Sequence, residues 1–181
     1  MSVKKTEELY QLIGNKLIGI IPDEWSKIYL YAEILPGSRI IYFYFESTTK
    51  KELIYSHSIP KVYGVDELIY DRLCRELQEY FVELNEGSRG TLDQAWTNLT
   101  MYLDSSGKFN IDYNYDEVVF NPSKQRTIWK YKVLGLLPTD AFHQSYLDEY
   151  LKQKIDYFSC GVPKAIIWLF GAPFVIFIRF M

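Results

Sequence analysis

The side chains best suited to chemistry in this sequence are carboxylates crowded into one short segment, residues 104–117. Four of them fall there: Asp104, Asp112, Asp116 and Glu117. Carboxylate oxygens are the ligands that Mg²⁺ and Ca²⁺ prefer, although the segment lacks the spacing of a calcium-binding loop. The residues alone leave three interpretations open: a solvated strand face, a surface that binds a basic partner, and a metal site.

Other reactive side chains are sparse and far apart. His57 and His143 are the two histidines, and a catalytic dyad would need both beside a nucleophile. Cys74 and Cys160 match no metal-binding spacing. The sequence contains no Gly-rich phosphate loop and no HExxH pattern. It therefore predicts no cofactor, no metal and no catalytic constellation, with a small carboxylate- and metal-dependent enzyme as the alternative.

Charge and composition favour protein binding over nucleic-acid binding. The 181 residues, enough for one domain, carry 20 Lys and Arg against 23 Asp and Glu, a net charge of −3. A nucleic-acid-binding protein of this size would normally be basic. The 16 tyrosines are more than one core needs. Tyrosine supplies rigid contact area and carboxylates match Lys and Arg, so the combination suits a surface that binds a basic protein.

The elements that must position these side chains follow from hydrophobic periodicity. Three- and four-residue steps predict helices over 4–21, 65–85 and from Thr139 onward. The start signal Asn121-Pro122 and the stop signal Gly135 predict one more over 122–134. Alternating or fully apolar runs predict strands over 26–35, 39–47, 50–59, 95–103 and 108–115. The order α-βββ-α-ββ-αα favours an α+β fold in which an antiparallel sheet of about five strands is covered by helices.

Local signals predict where several helices begin and end. Asp66 and Asn121 are suited to N-caps, the latter followed by a proline. Thr139 is the predicted cap of the last helix. Gly135 is suited to the position after a helix C-terminus. The run EGSRG at 86–90 is interpreted as a surface loop.

The two ends of the chain differ sharply in composition. Met1 to Glu8 is polar and lacks the apolar region of a signal peptide, so we expect none. Residues 165–178 carry no charge but are shorter than a membrane span and contain Pro173. We therefore expect one domain over 1–158 and an apolar tail over 159–181. A membrane anchor, a buried strand or hairpin, and an aberrant end such as a shifted reading frame remain open for this tail.

Five stretches of the sequence together resemble a known family. They are ELYQLIGNKLIGIIPDEWSKIYLYAEI, YSHSIPKVYGV, LIYDRLCRELQEYFVEL, WTNLTMYLDSSGKFNIDYNYDE and RTIWKYKVLGLLPTDAF. In order and spacing they resemble the YezG-like antitoxin or immunity proteins over about residues 6–157. The apolar end beyond Phe158 departs from the family, whose members usually stop at the charged last helix.

The resemblance implies a function as well as a family. YezG-like proteins are cytoplasmic antitoxins of Gram-positive bacteria, and they bind a secreted polymorphic toxin, commonly of the LXG type with a nuclease domain. They are not enzymes. The resemblance thus implies a cytoplasmic immunity protein whose partner is a basic toxin domain, with no direct contact to nucleic acid. A membrane-associated module held by the tail is an alternative reading.

A toxin-binding surface can be predicted on this basis, although the resemblance transfers no contact residues. Acidic side chains would occupy the basic groove with which a nuclease binds its substrate. The candidate carboxylates are Glu76, Glu79, Glu83, Asp104, Asp112 and Asp116. Tyrosines beside them would supply buried anchors. The candidate anchors are Tyr80, Tyr113 and Tyr115.

Overall fold

The strand-like segments form one antiparallel sheet in the computed structural model, which describes residues 3–92, 95–116 and 121–161. The strands are β1 (Trp25–Leu35), β2 (Ser38–Ser47), β3 (Glu52–Tyr55), β4 (Asn98–Asp104) and β5 (Phe109–Asn114). Their order across the sheet is β3-β2-β1-β4-β5, so β1 lies in the centre and β3 and β5 form the edges. The predicted α+β fold with a five-stranded antiparallel sheet is confirmed.

The described helices are divided between two compact units. They are α1 (Val3–Ile20), α2 (Ile59–Tyr63), α3 (Glu67–Leu92), α4 (Pro122–Leu134) and α5 (Ala141–Gly161). One unit, Met1–Val119, contains the sheet with α1, α2 and α3, and the other, Phe120–Met181, contains α4 and α5. The single domain expected over residues 1–158 stays a prediction.

One face of the sheet forms the hydrophobic core with α1 and α3. The strand register places Ile28 of β1 beside Phe45 of β2 and Leu103 of β4, so apolar side chains line up across strands. α1 and α3 add apolar side chains at helical spacing: Leu9, Ile13, Leu17, Ile20, Leu77, Phe81 and Leu84. Burial of this face accounts for the apolar residues that recur at alternate positions in the strands.

The opposite face of the sheet is rich in tyrosine. Tyr29 lies opposite Tyr44 of β2 and Tyr102 of β4 in the register. Two tyrosine hydroxyls of β1 donate hydrogen bonds to carboxylates. Tyr29 Oη donates to Glu46 Oε1 at 2.7 Å, and Tyr31 Oη donates to Glu33 Oε2 at 2.8 Å. Part of the tyrosine surplus therefore forms cross-strand pairs within the fold, where Tyr31 is buried.

The third strand is shorter than predicted. Residues 50–59 were expected to be extended, but β3 ends at Tyr55 and a 3₁₀ turn, Ser56–Ser58, leads into α2. Proline at the first turn of α2 favours the helical backbone. Ile59, at the start of α2, is fully buried. Because β3 is short, this edge of the sheet has fewer strand-to-strand hydrogen bonds than a strand over 50–59 would form, and Ile59 is buried instead.

Helix α3 is longer than predicted. The segment 86–90 was expected to be a loop, and this was wrong because α3 continues to Leu92. Each glycine in a helix interior costs only about 1 kcal/mol relative to alanine, so two of them do not forbid a helix. Within this segment Ser88 Oγ donates to the carbonyl of Asn85 at 2.7 Å.

The predicted helix caps are mostly confirmed. Asp66 Oδ1 accepts from Ile69 N at 3.0 Å, and Asn121 Oδ1 accepts from Lys124 N at 3.1 Å. Gly135 follows α4 with a positive φ of 68°, a conformation that glycine adopts without strain. The cap of α5 is Asp140, which accepts from His143 N at 2.9 Å, and the prediction of Thr139 was one residue early.

No helix within the described ranges is both long enough and apolar enough to cross a membrane. Residues 159–161 belong to the last turn of α5. The rest of the predicted tail, 162–181, lies outside the described residues, so the three interpretations of that tail stay open.

Candidate functional site

The three glutamates predicted on α3 all pair with basic residues of the same chain. Glu76 Oε2 lies 2.5 Å from Lys16 Nζ, and Glu83 Oε1 lies 2.8 Å from Lys5 Nζ. Glu79 Oε1 lies 3.4 Å from the Arg39 guanidinium. These contacts tie α3 to α1 and to β2, so the glutamates are partly neutralised within the fold.

The charges in these pairs stabilise one another. The hydrogen bond and positive charge of Lys16 lower the pKa of Glu76 below its usual range. The hydrogen bond and charge of Glu83 likewise raise the pKa of Lys5. Both pairs are exposed to solvent, where such contacts add little stability and are screened by salt. A partner that binds here must compete with Lys5 and Lys16 for the carboxylates.

The three candidate tyrosines lie half-buried against the core. Tyr113 Oη is 2.9 Å from Tyr10 Oη of α1, and the Tyr113 ring packs 6.0 Å from Trp96. Burial is the main cause that raises the pKa of Tyr113. Tyr115 lies 6.4 Å from Tyr113, ring centre to ring centre. Tyr113 therefore links β5 to α1, which leaves its hydroxyl less available to a partner.

Asp104 shapes the turn between β4 and β5. Its Oδ1 accepts from Ser106 N at 2.9 Å, from Ser106 Oγ at 2.5 Å and from Lys108 N at 3.1 Å. The Ser106 hydroxyl is the main cause that lowers the pKa of Asp104. Gly107 completes the turn with a φ of 84°. Asp104 is thus engaged in folding the hairpin.

Asp112 and Asp116 are the predicted carboxylates that remain most accessible. Both are exposed, and within the described ranges the Asp112 carboxylate accepts one hydrogen bond, from Asn110 Nδ2 at 2.9 Å. Asp116 is held through its backbone, since its carbonyl accepts from Thr97 Oγ1 at 2.7 Å. Strand β5 ends at Asn114, so the two carboxylates do not share one strand as they would in a longer β5. Glu117 lies outside the described residues.

Aromatic side chains that the sequence did not single out lie beside this hairpin. Burial, and after it the negative charge of Asp112, raise the pKa of Tyr102 of β4. Tyr29 packs edge-on to Tyr102, with 6.1 Å between ring centres. Phe109, at the start of β5, is 45% exposed and contacts Tyr10 edge-on. Its place at the start of an edge strand, next to a turn, is the signal that could have revealed this exposure.

The carboxylates of residues 104–117 are the sequence's candidates for a metal site. No group of three or more His, Cys, Asp or Glu side chains within residues 3–92, 95–116 and 121–161 is placed to hold a metal ion. Asp104, the first carboxylate of the predicted cluster, already accepts from its own turn.

The two histidines contact different neighbours. His57 stacks on Tyr55 at 5.0 Å between ring centres, and burial lowers its pKa. His143 Nε2 lies 3.1 Å from Ser123 Oγ, and His143 Nδ1 lies 2.7 Å from Asp140 Oδ2. This is the connectivity of a Ser-His-Asp triad. Asp140 also caps α5, and Ser123 lies in the first turn of α4, so the contacts link the two helix starts.

Comparison with known proteins gives one consistent family. The model of the YezG-like immunity protein family matches residues 6–148 of this chain. Immunity protein YezG of Bacillus spizizenii is 46% identical over 155 residues, covering 84% of this chain and 96% of that protein. Immunity protein YezG of Bacillus subtilis is 46% identical over 148 residues, covering 80% and 98%. The type VII secretion system protein EsaG of Staphylococcus aureus is 24% identical over 156 residues, covering 83% and 96%.

Proposed function

Because this chain belongs to the YezG-like immunity protein family, we propose that it binds and neutralises a cognate toxin in the cytoplasm. The toxin we propose is a secreted nuclease, and inhibition is stoichiometric and non-enzymatic. The observation that carries the proposal is the 46% identity to two proteins named as immunity proteins, along nearly their whole length. These relatives support an immunity role and a protein partner, and the family name points to an inhibitor.

The exposed carboxylates support a basic partner. Asp112 and Asp116 are exposed, whereas Asp104 and the three α3 glutamates are engaged within the chain. A nuclease carries Lys and Arg where it binds the phosphate backbone. Carboxylates placed in that groove exclude the substrate and accelerate association by electrostatic attraction. The half-buried tyrosines beside the hairpin offer contact area at little loss of side-chain entropy.

Co-expression tests this function. The full chain is produced with the toxin domain encoded beside its gene, the complex is purified, and DNA cleavage is followed as the chain is titrated. We expect a stable complex and complete inhibition at an equimolar ratio, because one immunity protein blocks one active site. Inhibition that needs a large excess of the chain, or no complex from folded protein, would contradict the proposal. Cleavage of an RNA substrate in parallel shows whether the toxin is a nuclease of another specificity.

A further inference from the structure

A cavity of about 450 Å³ opens where β1 turns into β2. It lies between this turn and the C-terminal half of α3. Its apolar walls are Ile34, Leu35, Pro36 and Val82. Its polar lining is Arg39, Gln78, Asn85 and Glu86. An apolar slot with a few convergent polar groups is typical of a site that binds a ligand or a partner side chain.

Asn85 gives this cavity an unused hydrogen-bond acceptor. The residue is only 2% exposed, and its Nδ2 donates to the Trp96 carbonyl at 2.6 Å. Its Oδ1 accepts no hydrogen bond from the described part of the chain. This oxygen is not one of the fully enclosed polar atoms that lack a partner, so it is reachable from the cavity and can accept a hydrogen bond from a donor that enters.

The cavity lining carries two charged side chains, Arg39 and Glu86. Arg39 is directed to Glu79, and its backbone carbonyl accepts from Gln78 Nε2 at 3.2 Å. Glu86 is exposed, and no basic side chain in the described ranges forms an ion pair with it. Within the described residues Glu86 thus has no ion-pair partner, while Arg39 is paired with Glu79.

Hydrogen bonds link one wall residue of the cavity to the segment that follows β5. Ile34 N donates to the Thr97 carbonyl at 3.1 Å, and Thr97 Oγ1 donates to the Asp116 carbonyl at 2.7 Å. Two hydrogen bonds thus connect the cavity wall to Asp116.

We propose that this cavity receives the side chain of one arginine of the toxin, an inference that rests on the proposed function. The aliphatic part of arginine fits the apolar walls. Its guanidinium carries five N–H donors, enough to serve Asn85 Oδ1 and the Glu86 carboxylate together. Arginine is also enriched among the residues that dominate protein interfaces, whereas lysine is depleted there.

Two substitutions test the cavity without removing Asn85, whose amide is part of the fold. Val82→Trp fills the cavity, and Glu86→Lys reverses the charge of an exposed rim residue. Asp71→Lys, at an exposed position of the same helix that does not line the cavity, is the matched control. The full-length variants are titrated calorimetrically with the toxin domain encoded beside the gene. We expect each cavity variant to bind at least about tenfold more weakly and the control to stay within about twofold.

The occupant is identified by chemical protection. Phenylglyoxal, which modifies arginine, is applied to the toxin complexes of the wild type and of Val82→Trp, and the toxin is analysed by mass spectrometry. We expect one arginine that is protected by the wild type and modified in the Val82→Trp complex. Protection of the same arginines in both complexes would overturn the inference.

The outcomes separate this inference from the function on which it rests. If the wild type inhibits the toxin while Val82→Trp and Glu86→Lys bind as tightly as the wild type, the arginine site is wrong and the immunity function stands. If the folded wild type does not bind the toxin, both are wrong. Glu86 is exposed, so Glu86→Lys still reports on the site should Val82→Trp lose its cooperative thermal transition.

Discussion

Asp104 and Asp116 show how two carboxylates of one short segment acquire different tasks. Asp104 accepts three hydrogen bonds from the turn that it precedes, so its charge is used in folding. Asp116 is fixed by its backbone, and its carboxylate accepts no hydrogen bond within the described residues. A carboxylate that is already positioned but not paired is suited to meet a partner's cation at small entropic loss.

Reversing the charges of Asp112 and Asp116 tests whether these exposed carboxylates attract the partner. We expect Asp112→Lys combined with Asp116→Lys to slow toxin association by about tenfold or more at low salt, because a repulsive surface replaces an attractive one. The fold should be unchanged, as judged by circular dichroism. Glu24→Lys with Glu52→Lys makes the same change of charge at the opposite end of the sheet, where both residues are exposed. Equal slowing by both double variants in stopped-flow measurements would contradict the assignment.

Asp23 is a carboxylate that several side chains of its own chain hold by hydrogen bonds. It accepts from Ser47 Oγ at 2.6 Å, from Thr49 Oγ1 at 2.7 Å and from Tyr63 Oη at 2.5 Å. These donors, Ser47 first, hold the pKa of Asp23 far below its usual range. The ionised carboxylate joins the loop before β1 to the β2–β3 turn and to α2.

The pKa of Asp23 predicts a pH dependence of stability. Since the folded-state pKa is depressed, the contribution is present above the unfolded value of about 3.9 and is lost as the pH falls through the folded value. We expect Asp23→Asn to lower the melting temperature at neutral pH and the difference from the wild type to narrow below about pH 4. Glu24→Gln, the exposed neighbour, should melt like the wild type. A difference that stays constant into strong acid would show that charge is not the cause.

At the scale of elements, α1 is held to the sheet by one apolar stripe. Leu9, Ile13, Leu17 and Ile20 recur at steps of three and four residues and are all buried in the core. The Tyr10–Tyr113 hydrogen bond adds a polar contact between α1 and β5. Because the sheet carries helices α1 and α3 on this face, loss of packing under α1 affects the whole core.

A pair of adjacent substitutions in α1 measures this packing. Leu17 is fully buried, and Leu17→Ala should lower the free energy of unfolding by about 2–5 kcal/mol because it leaves a cavity. Ile18 is 47% exposed, and Ile18→Ala should change it by less than about 0.5–1 kcal/mol. Urea denaturation gives both values. Similar losses for the two variants would mean that α1 does not pack by this stripe.

At the scale of the whole molecule, the net charge is small but the unpaired carboxylates are unevenly distributed. The net charge is only −3, and the ion pairs between α1 and α3 compensate much of the acidity of α3. Glu86, Asp112 and Asp116 have no ion-pair partner among the described residues. They lie on β5 or towards the end of the sheet that carries the β1–β2 turn. Attraction to a basic toxin is therefore expected to be local.

Salt distinguishes local attraction from apolar docking. Raising the NaCl concentration from about 50 mM to about 500 mM shortens the Debye length severalfold. We expect the association rate with the toxin domain to fall by about tenfold while the dissociation rate changes little. Both rates are measured by surface plasmon resonance. An association rate that is independent of salt would contradict electrostatic guidance.

Periodicity within the sequence determined most of the fold. The steps of α1, the alternation in β5 and the cap at Asn121 are local patterns, because helix and strand geometry fixes which neighbours share a face. The same local reasoning failed at two places. Ile59 was predicted to end a strand but begins the short helix α2, where it is buried. Residues 86–90 were predicted to form a loop because of their glycines, but α3 continues through them. The family could also be inferred from motif order, which needs no contact between distant residues.

Only the tertiary structure decided which side chains are available to a partner. Glu76 and Glu83 share a helix face by their spacing, but their partners, Lys16 and Lys5, lie 60 or more residues away in the chain. The cavity likewise joins α3 to the β1–β2 turn, and Asn85 is fixed there by the carbonyl of Trp96. Contacts between distant segments depend on how helices pack on the sheet, and residue spacing within one element carries no information about them.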